Sequence, residues 1–188
     1  ARTVRVSEDV PVHGPRVLDW RDPRLFGASI SSSSQDLRRV NAAIPGTLEP
    51  EVRPWLPRLP ESAVIAFGIF HLLQEAGVEY ASDKRIVAPD TTSPVYDRLS
   101  TPADVLIHGA GDCEDLVALW IALLESRGID SRYVVERQVG GHVVLLVDLG
   151  VPPTRAETLC GLEPFALERD GRLWLPIEAT TLSGGFFE

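Results

Sequence analysis

Gly111-Asp112-Cys113-Glu114-Asp115-Leu116 is the stretch that decides the fold. The chain breaks sharply at Gly109-Ala110-Gly111 and then offers Asp112 as a helix N-cap. Asp115, three residues on, stands where the second half of a capping box would stand. Cys113 is therefore predicted at the first position of a helix running to about Arg127, closed by Gly128 with Ile129 packed on Leu124. Leu116, Val117, Trp120, Ile121 and Leu124 follow the cysteine at helical spacing, so its thiol points toward whatever the helix packs on. The helix start lowers the thiol pKa, whereas Glu114 and Asp115 push the other way; a basic partner would tip the balance.

Beyond this helix the hydrophobic period changes from helical to alternating. Arg132 to Gln138 reads as a strand, Gly140-Gly141 as a turn, and His142 to Asp148 as an apolar central strand. Residues 149–164 read as a loop. Phe165–Arg169 and Arg172–Ile177 read as strands joined by the Asp170-Gly171 hairpin turn. Upstream, Ser62 to Ala76 is apolar nearly all round and reads as a buried helix, ended by Gly77 with Val78 placed on Leu73. A short helix is predicted from Thr101-Pro102 through Ile107, after a long loop over 83–99.

Residues 1–60 hold more than half of the 15 prolines and little apolar surface. They read as an arm wrapped on the core, with a short strand at Thr3 to Val6, a loop at Ser31 to Ser34, a short helix over Gln35–Ala43, and Trp20, Phe26 and Trp55 as anchors. Pro50, Pro54, Pro57 and Pro60 forbid regular structure before the domain, which is placed at 61–188.

The chain of 188 residues is long enough for a real core, and its charge of −9 without a basic stripe excludes a general nucleic-acid binder. Two cysteines, Cys113 and Cys160, cannot make a disulfide scaffold, and Cys160 reads as free and dispensable. No apolar run is long enough to cross a bilayer, so no direct membrane segment is expected. The chain starts at Ala1 without a methionine and reads as a piece of a longer protein.

A cysteine aimed at a sheet can meet a histidine on it, the arrangement of thiol–imidazole nucleophilic catalysis. From position alone, a small buried core residue is an equal reading of Cys113. Of His13, His71, His108 and His142, only His142 opens a central strand beyond the cysteine helix. Glu178, after the last strand, is the acid best placed to orient the imidazole, ahead of Asp148 at the far end of the His142 strand. That choice makes a topological demand. A simple meander would put His142 and Glu178 at opposite ends of the sheet, about 20 Å apart. Arg172–Ile177 must therefore pair antiparallel with His142–Asp148, with Phe165–Arg169 outside.

Gly-Asp-Cys-Glu-Asp at a helix start, glycine-histidine opening a strand, and an acid followed by threonine together resemble the transglutaminase-like superfamily of papain-fold cysteine enzymes. Residues 100–116 are similar to the bacterial transglutaminase-like cysteine peptidases, and 174–181 to envelope-associated bacterial members in which the acid is glutamate. The resemblance covers roughly residues 62–188. It implies an α+β, papain/transglutaminase-like core with the nucleophile helix packed on an antiparallel sheet. It also implies Cys113 as nucleophile, His142 as general base and acid, and Glu178 as the orienting acid. Glu178 is one methylene longer than the usual aspartate, and the wide His142-to-Glu178 spacing marks 149–164 as an insertion. Some of the similar peptidases bind calcium through the acids flanking the cysteine, here Asp112 and Glu114. Both already have capping reasons to be there, so no metal or cofactor is required.

The activity expected is cysteine-dependent acyl transfer on a peptide or glutamine amide through a thioester, with water or an amine as acceptor. Backbone N–H groups at the helix start would serve the oxyanion, with Tyr96 as a further donor. The expected partner is a protein or peptide substrate, not nucleic acid, and the resemblance leans toward the bacterial envelope. The alternative is a non-catalytic transglutaminase-like interaction module; a metal site on Cys113 and His142 lacks further ligands at metal spacing.

Overall fold

The computed structural model describes residues 17–20, 22, 24–47, 59–82, 96–136, 142–159 and 161–184, without the side chains of 17, 45–47 and 96. In chain order the elements are β1 (Val17–Asp19), α1 (Arg24–Ser29), α2 (Gln35–Thr47), α3 (Glu61–Glu75), β2 (Glu79–Tyr80), β3 (Tyr96–Arg98), α4 (Pro102–His108), β4 (Ala110–Gly111), α5 (Cys113–Glu125), β5 (Ser131–Glu136), β6 (His142–Asp148), β7 (Leu167–Arg169) and β8 (Arg172–Ile177). The architecture is α+β. Among the described residues no helix is long and apolar enough to cross a membrane.

Glycines end the three helices that frame the site, each in the left-handed region: Gly77 after α3, Gly109 after α4 and Gly128 after α5. Val78 N–H donates to Leu73 and Ile129 N–H to Leu124, the long bonds of Schellman motifs. Thr101 starts α4 with a full capping box to Asp104. These local rules were readable in advance, and the helix ends fall within two residues of expectation.

α5 is buried on every side, from Cys113 through Leu124. A single apolar stripe was the expectation. The reverse face, however, is Ala118, Leu119, Ala122 and Leu123, each fully buried, and α5 touches α2, α3 and α4 as well as β5 and β6. α2 extends to Thr47, beyond the expected end at Ala43. Pro45 cannot donate to the Asn41 carbonyl, and the Arg127 guanidinium takes that acceptor instead. Asn41 Nδ2 in turn donates to Leu123 O at 3.0 Å, binding α2 to the end of α5.

The main sheet has the order β5-β6-β8-β7, antiparallel throughout. β8 lies directly against β6, with Leu145 opposite Ile177, and β7 lies outside. Eighteen residues between β6 and β7 carry the chain back, and they are not a plain loop: Pro153–Leu159 and Glu163–Phe165 are 3-10 turns. Phe165 thus belongs to a turn and the strand begins only at Leu167. Two small pairings had no sequence signal: β1 with β3 antiparallel, and β2 with β4 parallel. The short helix α1 was likewise unexpected; its Phe26 is fully buried and meets Tyr133 of β5 edge-on at 4.7 Å. Thr3 to Val6, Trp55, Cys160 and the prolines at 50, 54 and 57 lie outside the described residues.

Candidate active site

Asp112 caps α5 through its side chain, accepting Asp115 N–H at 3.4 Å. Asp115 Oδ1 itself takes up Ser100 N–H at 2.6 Å, so this acid ties the chain entering α4 to α5. The two acids around Cys113 therefore lock the helix start from both directions. Gly111 sits so close that a Cβ there would stand 2.7 Å from the Asp115 Cβ, which explains the glycine.

Cys113 is a free thiol, 9% exposed. Its Sγ donates to Glu114 Oε2 at 3.1 Å. Burial, together with Glu114, pushes the thiol up to about 12, while the Val143 backbone N–H pulls the other way. The balance that the sequence leaves open between the helix end and the flanking acids falls on the raising side. Desolvation of the thiolate and a neighbouring acid outweigh the half-charge of the helix end.

Val143, the residue whose N–H favours the thiolate, follows His142 directly on β6. His142 Nε2 and Glu178 Oε2 are 2.6 Å apart, brought together by the β6–β8 pairing. The other carboxylate oxygen of Glu178 accepts both the Thr180 N–H, at 3.0 Å, and the Thr180 hydroxyl, at 2.6 Å. Burial alone would raise the Glu178 pKa, but the bonds from His142 and Thr180 outweigh it and hold the carboxyl below its ordinary value. An ionised Glu178 only accepts, so a neutral His142 carries its proton on Nε2 and leaves Nδ1 bare.

Asp148 lies at the opposite end of β6, engaged by Arg172 and by Gly150 N–H. His71 stacks edge-on with Phe70, and His108 sits exposed in the last turn of α4. His13 and the side chain of Tyr96 lie outside the described residues.

A model of the transglutaminase-like superfamily matches residues 75–176, more than half of the chain. The chain belongs to the transglutaminase-like superfamily. No curated protein and no solved structure matches it. The superfamily is one of cysteine-dependent acyltransferases and peptidases. The matched span holds Cys113 and His142 and stops two residues short of Glu178.

In this transglutaminase-like domain one feature of the site had no sequence signal. Asp97 of β3 joins Asp112 and Glu114 so closely that carboxylate oxygens of all three lie within 4.8 Å of one another. Burial raises Asp112 to about 6, helped by Asp115, and raises Glu114 to about 9, helped by a hydrogen bond with Asp97 and by the charge of Asp112. Three such acids cannot all be ionised side by side, so Glu114 keeps its proton at neutral pH. A hard divalent cation suits this donor set, which is all oxygen and carboxylate-rich, with the three groups within 4.8 Å of one another. The residues present therefore fit the calcium that the peptidase resemblance implies.

Proposed function

We propose that this domain is a cysteine acyl-transfer enzyme acting on peptide or glutamine amides, most similar in kind to the bacterial transglutaminase-like cysteine peptidases, with a papain-like arrangement of its site. The observation that carries the reading is the 2.6 Å contact of His142 Nε2 with Glu178, at the start of the strand against which the Cys113 helix packs.

In this reading the thiol turns from Glu114 and gives its proton to His142 Nδ1, the nitrogen that Glu178 leaves bare. The thiolate attacks the amide carbonyl carbon. The resulting oxyanion is met by backbone N–H groups at the start of α5. When the tetrahedral species collapses, the C–N bond breaks and the amine leaves with the proton from His142; the acyl group remains as a Cys113 thioester. Water, deprotonated by the same imidazole, releases the acid; an amine acceptor releases a new amide instead. Glu178 stays ionised and stabilises the imidazolium formed in between.

Calcium, where bound, would be held by Asp97, Asp112 and Glu114, supplying three of the about six to eight oxygens it takes. Its chemistry there is electrostatic: positive charge beside a buried thiol favours the thiolate.

The direct test is peptide-library cleavage, and deamidation of glutamine peptides, by the wild type and by Cys113→Ala. We expect the alanine variant to lose all turnover while its stability changes by no more than about 1 kcal/mol, since the thiol ends a well-capped helix. Turnover surviving in Cys113→Ala would end the reading.

A further inference from the structure

We propose that Thr180 is a positioning residue that clamps Glu178 for its contact with His142; the inference rests on the reading of Glu178 given above. The two oxygens of this carboxylate divide their partners cleanly. Oε2 faces His142 Nε2, and Oε1 receives both donors of a single residue, the Thr180 hydroxyl at 2.6 Å and its N–H at 3.0 Å. A glutamate side chain has three rotatable torsions, and one contact at Oε2 leaves the carboxylate plane free to turn. Two donors on Oε1 fix that plane. The need is real, because the Glu178 side chain is 35% exposed and water competes for both oxygens.

Thr180 can act as a clamp because it is itself held. Thr181 closes the turn onto the Glu178 carbonyl with its hydroxyl at 2.9 Å and its N–H at 3.3 Å. Ala179 and Leu182, on either side, are buried in the core. Gln74 of α3 reaches across to donate to Leu182 O at 3.1 Å and Gly184 O at 3.2 Å. The orientation of the acid is thus referred to a buried helix, not to a free chain end. Both Thr180 bonds also favour the ionised carboxylate, the form that accepts from His142 Nε2.

The test compares Thr180→Val, which keeps the shape and removes the hydroxyl, with Thr180→Ser, which restores it. Long-range proton–nitrogen spectra read the His142 tautomer without any substrate. We expect the Nε2–H tautomer in the wild type and in Thr180→Ser, and a mixture in Thr180→Val. The acid limb of Cys113 alkylation should move to lower pH in the valine variant, because a loosened Glu178 stabilises the His142 imidazolium less. With an active substrate, kcat should fall roughly tenfold at unchanged KM, and serine should rescue it. A wild-type tautomer and acid limb in Thr180→Val would overturn the inference, as would a serine variant as impaired as valine. One readout needs no variant: in the wild type the engaged Thr180 hydroxyl proton should exchange slowly with water, and fast exchange would equally overturn the clamp. Neither spectrum depends on turnover, so failure of the acyl-transfer reading in Cys113→Ala remains distinguishable from failure of the clamp.

Discussion

Glu114 is the residue on which the resting site turns. It is 3% exposed, holds the thiol through Oε2, and shares a buried corner with Asp97 and Asp112. Its pKa, raised to about 9 by burial and by Asp97, fixes the sign of a stability effect. Between the ordinary glutamate pKa and about 9, the folded protein keeps a proton that the unfolded chain gives up. This group therefore costs stability as pH rises through that window. We expect Glu114→Gln, in chelator, to flatten the alkaline fall of the melting temperature and to gain about 2–4 °C per kcal/mol recovered. An identical pH dependence in the two proteins would show that Glu114 is ionised in the fold. Asp112 and Glu114 were visible in the sequence as acids flanking a cysteine, with a capping reason of their own and a calcium role implied by the resemblance. Asp97 was not visible, because it joins them across a loop from a strand too short to carry a pattern. The raised thiol pKa was illegible for the same reason. It depends on the burial of the sulfur in the folded chain, which no local rule supplies.

At the scale of elements, the legible parts were those with a long period or a glycine stop: α3, α5, β6 and β8. The strand order followed from one requirement, that His142 and Glu178 share an end of the sheet, and β8 does lie between β6 and β7. β1, β2, β3 and β4 are two or three residues each and are set by partners far along the chain, so alternation cannot reveal them. Helix crossing is also invisible in a one-dimensional pattern. α2 and α3 approach so closely that a Cβ on Gly68 would stand 2.3 Å from Ile44 Cγ2, a branched atom fixed near its own backbone. We expect Gly68→Ala to destabilise by about 1–3 kcal/mol, despite the better helix propensity of alanine. Pairing it with Ile44→Ala should recover part of the loss, read from denaturant midpoints; strictly additive effects would mean the helices simply move apart.

For the whole molecule, three carboxylates from β3 and from the start of α5 converge in a protein already carrying a charge of −9. A cation held there would join the β1–β3 pair to the start of α5. Trp20 next to β1 already donates to Asp97 Oδ2 at 3.3 Å. Ligand binding to the folded state stabilises by about 2.7 kcal/mol at a hundredfold excess over Kd. We expect calcium to raise the melting temperature of the wild type by several degrees and to leave Asp97→Asn and Glu114→Gln nearly unchanged. A wild type indifferent to calcium would leave the three acids as a purely structural cluster.

The most direct measurement is the rate of Cys113 alkylation by iodoacetamide against pH, read by peptide mapping so that Cys160 is counted separately, in the wild type and in His142→Ala. A thiol raised to about 12 by burial is inert at neutral pH unless a base stands ready to take its proton. The expected result is ready alkylation of wild-type Cys113 near neutrality and a loss of at least about tenfold in His142→Ala, with both proteins folded. Equal rates in the two proteins, following the titration of an isolated thiol, would contradict the assignment of His142 as its base.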